Sequence, residues 1–419
     1  MSEPITETHH PLAALHDPAT IRARCAAVLR SVESGVSPSF LLHRERLADA
    51  AERVAALTLK RFPDLKTPYH SRWRHFEAGG LDRKAEMDAL LAGRSVAEQA
   101  RARFDLTVIS VLLDAGAGAR WSYTEEASGQ NFGRSEGLGV ASFRAFMAGV
   151  FSGTEGDPLR ADAGVLARVD AGVLRRVFKS GGDNPMVGLE GRAALIARLG
   201  EALQEVAAIT GLPARPGLMF DRLTARGRRT EVATAEVLRE LLLTLSVIWP
   251  SGGRVLGLPA GDVWPHRWAG ADTASGPDRR TEGFVPFHKL SQWLSYSLLE
   301  PLQWAGITVT GLDALTGLPE YRNGGLLLDT GVLVPRDPRL LTRSWKPADE
   351  FIIEWRACTV ALLDELATLV RQRLGVRAEQ LPLACILEGG TWAAGREIAL
   401  EKREGGTPPL RIDSDGTVF

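Results

Sequence analysis

Glu320, Tyr321, Arg322 and Asn323 stand together in the run Pro-Glu-Tyr-Arg-Asn-Gly-Gly at 319–325, between apolar Leu315 and Leu318 and the leucines at 326–328. A carboxylate held between apolar stretches is either neutralised by a neighbour such as Arg322 or poised for chemistry, because burial disfavours its charge. Gly324 and Gly325 allow positive φ or close approach to a ligand at such a corner. The leucines that follow read as a short strand.

Three further runs carry groups of comparable interest. Pro286 can open a helix, because its missing N–H would be unsatisfied there anyway. Leu290, Trp293, Leu294, Ser297 and Leu298 then recur at helical spacing, and His288, Lys289 and Gln292 lie off that face, near the helix start. That end carries partial positive charge and free N–H groups, which suits an anion such as phosphate. The run Pro-Tyr-His-Ser-Arg-Trp-Arg-His-Phe at 68–76 offers Arg72 or Arg74 to a phosphate and Trp73 to a ring or sugar, with His70 close by. The competing reading is a basic surface loop pinned to the core by Trp73 and Phe76. No third ligand lies near His70 and His75, so no metal is expected. Glu354 and Arg356 interrupt an otherwise apolar helix, and if buried they must pair or be hydrogen-bonded. The plain reading is a structural ion pair.

The elements that must hold these groups are mostly helices. Asp17-Pro18 opens one with Ile21, Cys25, Val28 and Leu29 on one face. Amphipathic patterns follow at 43–60 and 85–109, and strongly apolar ones at 232–249 and, longer, at 349–374. The Gly-Ala-Gly at 116–118 follows a helical pattern and lacks dinucleotide-loop spacing. Arg120, Trp121, Tyr123 and Glu125, with 134–139, form a second polar cluster that fits a pocket lining or a capped helix start, the structural role being favoured. Short strands are expected only at 307–309, 326–328 and 332–334. Residues 1–16 read as a loose or lightly docked tail and 17–419 as a single, mainly α domain. A mobile loop is expected at 269–282 and docking of the apolar end at 418–419.

Bulk properties narrow the function. The 419 residues are 45% apolar, enough for a full core. Fifty basic against 51 acidic residues leave a net charge of −1, with none of the basic excess a nucleic-acid partner needs. Three isolated cysteines, Cys25, Cys358 and Cys385, argue for a reducing compartment. No apolar run reaches membrane-spanning length and the N-terminal run is polar, so a cytoplasmic protein with no membrane partner is expected.

From about residue 17 to the end, the chain resembles the uracil-catabolism protein family of the ribosylurea route. The resemblance rests on PYHSRWRHFEAGG, RSEGLGVASFRAFMAG, DNPMVGLEGRAALIARLGEAL, FVPFHKLSQWLSYSLLEP, GLPEYRNGGLLLDTGVL, LEGGTWAAGREIA and the SDGTVF end. More distantly, 284–366 is similar to queuosine-phosphate N-glycosylases of queuosine salvage. A Pro-Phe-Tyr-Lys segment, an Asp-Tyr-Arg corner and a Glu-x-Arg-x-Cys-(Ser/Thr) helix in that family face Pro286-Phe287-His288-Lys289, Glu320-Tyr321-Arg322 and Glu354-Trp355-Arg356-Ala357-Cys358-Thr359 here. The resemblance implies a mainly α, DNA-glycosylase-like fold and hydrolysis of an N-ribosidic bond without metal or redox cofactor. It implies the catalytic carboxylate role for Glu320 and substrate binding for Lys289. Glu in place of Asp moves the carboxylate outward by one methylene, which implies a differently seated substrate.

The substrate so implied is a phosphorylated riboside, a ribosylurea 5-phosphate split to urea and ribose 5-phosphate. Arg322 would orient Glu320 or bind phosphate, and His70 and Trp73 stand on the leaving-group side. Two other functions fit the same residues. One is an enzyme acting directly on uracil or its nucleotide. The other is a non-catalytic partner that binds an intermediate for the ring-opening enzyme of the pathway.

Overall fold

The computed structural model describes residues 10–114, 116–118, 120–249, 253–270 and 280–413. Eleven helices of nine or more residues are present among them: α1 (Pro18–Glu33), α2 (Leu47–Arg61), α3 (Arg83–Leu91), α4 (Val96–Leu112), α5 (Arg134–Met147), α6 (Leu189–Thr210), α7 (Thr234–Leu245), α8 (Lys289–Trp304), α9 (Tyr321–Asp329), α10 (Glu350–Leu374) and α11 (Trp392–Lys402). The fold is mainly α. The strands are two to four residues long and pair only two by two.

Local signals explain most of the boundaries. The Asp17 carboxylate caps α1 by accepting from the Ala19 N–H, and Pro18 fills its first turn. Ser95 caps α4 in the same way. Ala92, Gly93 and Arg94 break the expected helix at 85–109 into α3 and α4. The 25-residue α10 ends at Gly375 in the left-handed conformation, where glycine carries no Cβ penalty.

Chain ends and middle meet in one apolar core that runs from Ile21 to Leu410. Helix α10 packs against α1 and α2, α9 against α11, and α8 against α4 and α7. The strand Phe40–Leu42 pairs antiparallel with Leu333–Pro335, and Ser344–Trp345 pairs parallel with Arg411–Ile412. Both pairings tie N-terminal or C-terminal chain to the region that carries Glu320.

Two expectations change and a third, the tail, is narrowed. The leucines at 326–328 are helical, within α9, since a three-residue apolar run does not distinguish strand from helix. Pro286 ends the strand Phe284–Pro286, which pairs with Val263–Pro265, so α8 starts later, at Lys289. Within the expected tail, Leu12, Leu15 and His16 are buried, and Leu12 and Leu15 pack with Val255, Ala260 and Val263. Most of the expected loop at 269–282 and the expected docking at 418–419 lie outside the described residues. No helix among the described residues is long and apolar enough to cross a membrane.

Candidate functional site

Glu320 is the N-cap of α9. Its carboxylate accepts hydrogen bonds from the backbone N–H groups of Arg322 (2.8 Å) and Asn323 (2.7 Å). The residue is 8% exposed. Burial raises the Glu320 pKa above its ordinary value, although the two N–H bonds, Lys289 and His70 all favour the charge. An ionised carboxylate has about four lone-pair positions. The cap uses two, which leaves the others uncommitted.

The glycines of this corner serve close packing and not positive φ. A Cβ on Gly324 would meet the Trp355 ring, and a Cβ on Gly395 in α11 would collide with the Arg322 backbone carbonyl. The contact of α9 with α11 therefore depends on Gly395, and it aligns the corner with the next element, the turn around Glu388.

Lys289 is the first residue of α8. Its backbone N–H donates to Asp262 Oδ2 (3.0 Å), and burial lowers the pKa of its ammonium while Glu320, Asp262 and Asp114 act to raise it. Asp262 in turn takes both guanidinium nitrogens of Arg356, at 2.7 Å each, and the Trp264 indole N–H at 2.7 Å. Arg356 also lies over the Phe287 ring and reaches the Pro319 carbonyl (3.4 Å). A fully buried ion pair thus braces the start of α8 against the residue before Glu320.

His70 approaches from the other side. Its Nδ1 lies 2.8 Å from Glu388 Oε2, and Glu388 also pairs with Arg61 (3.0 Å). Burial pushes the Glu388 pKa up, but His70 and Arg61 together outweigh it and hold it below the ordinary value. Glu388 sits in the π-helical turn Leu387–Thr391 that leads into α11. Such turns are frequent at functional sites because the extra residue re-aims a side chain. Gly389 and Gly390 keep this turn against Thr58 and Val54 of α2.

The aromatic wall is Trp293 and Trp392. The Trp293 ring centroid is 6.5 Å from that of His70 and 5.8 Å from that of His75, and the Arg72 guanidinium lies 5.7 Å over it. Trp392 is 6.4 Å from His70, with the Arg322 and Arg396 guanidinium groups against it. Arg72, fully buried, donates to Ser110 Oγ (2.7 Å) and pairs with Asp114 (3.2 Å). Burial, followed by the charge of Arg72, drives the His75 pKa well below its ordinary value, so that imidazole is neutral.

The structure therefore sets Lys289 and His70 to act on Glu320, with Arg72 against the Trp293 ring that His70 also meets, and sends the remaining sequence candidates elsewhere. The Arg322 side chain donates to the Gly406 carbonyl (3.1 Å) and packs on Tyr321 and Trp392; only its backbone N–H holds Glu320. His288 has a left-handed backbone (φ 46°), contacts the Leu15 carbonyl through Nε2 (3.0 Å) and faces His16, with burial lowering its pKa to about 4. Trp73 is core: its indole N–H donates to the Ser297 carbonyl (3.0 Å) and its ring meets Phe76 and Trp304. Glu354 is bound by the hydroxyls of Ser37 and Ser39 and lies 3.7 Å from His266. Arg356 braces without facing the corner directly.

Asp114, Asp262, Glu388, Trp293 and Trp392 escaped sequence reasoning. Trp293 was absorbed into the apolar face of α8. Asp114 had a readable signal, an acid that ends the apolar run Val-Ile-Ser-Val-Leu-Leu. The second polar cluster is structural: Glu125 is buried between Arg83 (2.6 Å) and Arg144 (2.5 Å). A cleft of about 530 Å³ elsewhere is lined by Arg101, Asp221, Arg229 and Ile307. Its Arg101 is committed to Asp221 and its Arg229 to Glu236, at 2.7 Å each, and its Arg226 donates to the Thr210 carbonyl (3.1 Å).

Residues 14–419 match the family described as "Protein of unknown function (DUF1688)". The chain is 36% identical over 422 residues to "Protein urg3" of Schizosaccharomyces pombe, covering 99% of this chain and 100% of the relative. It is 39% identical over 381 residues to "Uracil catabolism protein 4" of Lachancea kluyveri, covering 84% and 85%.

Proposed function

This chain belongs to the DUF1688 family, and on that premise we propose that it acts in uracil catabolism as an N-ribosyl hydrolase. Its substrate is a ribosylurea 5-phosphate-type intermediate, and its products are urea and ribose 5-phosphate. The pathway is taken from the name of the Lachancea kluyveri relative. The single observation that carries the chemistry is Glu320, a buried carboxylate only half-committed to its helix cap, with Lys289 and His70 acting on it.

In the reaction, water adds at the anomeric carbon and the C–N bond breaks with its electron pair going to the urea nitrogen. That nitrogen takes up a proton. The ribose becomes cationic on the way, which calls for negative charge beside it or a base for the water. Glu320 supplies either, and burial, which raises its pKa, makes it a stronger base than an exposed carboxylate. Lys289 binds the 5-phosphate or ribose hydroxyls, in keeping with its place at a helix N-terminus. His70, oriented by Glu388, stands ready to protonate the departing nitrogen.

The test incubates the purified protein with ribosylurea 5-phosphate, uracil and uridine 5′-monophosphate in parallel, with mass detection of products. Release of urea and ribose 5-phosphate from the first, lost in Glu320→Gln, is the expected result. Turnover of uracil or its nucleotide instead would move the reading to an enzyme of the ring itself. Binding without turnover, together with co-purification of a ring-opening enzyme, would make the protein a carrier of the intermediate. Full activity in Glu320→Gln would remove the carboxylate assignment.

A further inference from the structure

Three polar atoms around Trp293 and Asp114 are buried and have no hydrogen-bond partner among the described residues: Trp293 Nε1, Asp114 Oδ1 and Arg72 Nη2. A buried donor or acceptor left unmade costs about 1–3 kcal/mol, so isolated cases are uncommon and a cluster asks for an explanation. The three belong to one assembly. The Arg72 guanidinium lies over the Trp293 ring and its Nη1 pairs with the other oxygen of Asp114. The Trp293 residue is 7% exposed and the Asp114 side chain 9%.

This assembly borders the corner described above. The charge of Asp114 acts on Lys289 and on Tyr321, the residue next to Glu320. Trp293 follows Lys289 by four positions, one turn along the same face of α8, and its ring lies against those of His70 and His75. Arg72 Nη2 has Gly139 beside it, where a Cβ would stand 3.6 Å away.

The unspent atoms are of mixed kind, an indole N–H and a guanidinium N–H that donate and a carboxylate oxygen that accepts. A phosphate, which only accepts, would be repelled by Asp114. A group that presents a carbonyl oxygen beside an N–H matches them. We propose that Asp114 and Trp293 recognise the ureido end of the substrate, Asp114 Oδ1 accepting from its N–H and Trp293 Nε1 donating to its carbonyl oxygen. This rests on the hydrolase reading for the identity of the ligand, and it assigns the two residues to binding and not to bond cleavage. Uridine 5′-monophosphate carries the same carbonyl and N–H edge in its ring, so the two sources need separate arms.

The experiment is calorimetric binding to the full chain in the Glu320→Gln background, alone and combined with Trp293→Phe or Asp114→Asn. Phe keeps the ring and removes the donor; Asn keeps the shape and the partner of Arg72 while weakening the acceptor. The probes are ribosylurea 5-phosphate, uridine 5′-monophosphate and ribose 5-phosphate. Ribosylurea 5-phosphate binding should weaken about tenfold in each variant, the size of one lost hydrogen bond in a buried site. Ribose 5-phosphate binding should stay within about twofold, which also shows that the variants are folded. Equal weakening of both probes, or of neither, overturns the assignment while leaving the hydrolase reading intact. Selective weakening of uridine 5′-monophosphate alone overturns it in favour of ring recognition. If none of the probes binds the starting protein, the hydrolase reading and this inference fail together.

Discussion

Of the three carboxylates that act on Lys289, Asp262 and Glu320 differ in how much of their bonding is committed. Asp262 accepts from both Arg356 nitrogens, from Trp264 Nε1 and from the Lys289 backbone N–H. Burial pushes its pKa up, but the Arg356 charge and these bonds outweigh that and leave it below its ordinary value. Glu320 accepts from two backbone N–H groups, and there burial wins and the pKa rises. A saturated acid is scaffold, because every lone pair is committed and nothing remains for a ligand. A half-saturated one keeps acceptor positions that no protein donor has taken. The tryptophans divide the same way: Trp73 Nε1 is bonded to Ser297, while Trp293 Nε1 has no partner among the described residues.

Removing each acid in turn separates scaffold from chemistry. Glu320→Gln is expected to cut turnover of ribosylurea 5-phosphate by about a thousandfold, within the usual reach of a general acid or base. The same change should lower stability by only about 1 kcal/mol, the worth of a weakened cap. Steady-state rates with a parallel melting curve measure both. Asp262→Asn reverses the pattern. It leaves the Arg356 charge buried without its counter-ion, and a loss of about 3–5 kcal/mol in denaturant unfolding is expected. If Asp262→Asn proves as stable as the parent, the division between saturated and unsaturated acids is lost.

The acids also differ in how they couple to pH. The Glu320 proton is held more tightly in the native state than in the unfolded chain, whose ordinary value is 4.5. Its contribution is therefore full below pH 4.5 and is lost as pH rises through the native pKa. Asp262 behaves oppositely: its contribution is present above the ordinary 3.8 and is lost as pH falls through its depressed native value. Melting temperature against pH should accordingly fall less from pH 4.5 upward in Glu320→Gln than in the parent. An unchanged slope would mean that burial does not raise the Glu320 pKa. The smallest effect belongs to the tryptophans: Trp73→Phe is expected to cost about 1 kcal/mol of stability by loss of the Ser297 bond. Turnover per folded molecule should remain as in the parent, which rate and unfolding measurements on one preparation would check.

Local signals made much of this protein readable in advance. Asp17-Pro18 announced α1, the apolar spacing announced α2, α7 and α10, and the Pro-Glu-Tyr-Arg corner was conspicuous because polar groups interrupt an apolar stretch. Helical period and capping chemistry are properties of neighbouring residues, so they survive in the sequence. Where a side chain points is not such a property. His288 and Lys289 are adjacent, yet His288 turns to Leu15 while Lys289 opens α8 and feels the Glu320 charge, because the pairing of Phe284–Pro286 with Val263–Pro265 sets a left-handed residue between strand and helix. Trp73 and Trp293 look alike in sequence and differ only in whether the fold supplies a carbonyl to the indole N–H. Asp114, Glu320 and Glu388 are far apart along the chain, and only the packing of α8 on α4 and of α9 on α11 gathers them around one histidine and one lysine. The sequence by itself determined which segments coil and which residues could carry charge. Tertiary structure decided which of those charges were spent on the scaffold and which were left unpaid, because hydrogen-bond saturation depends on groups brought in from distant parts of the chain.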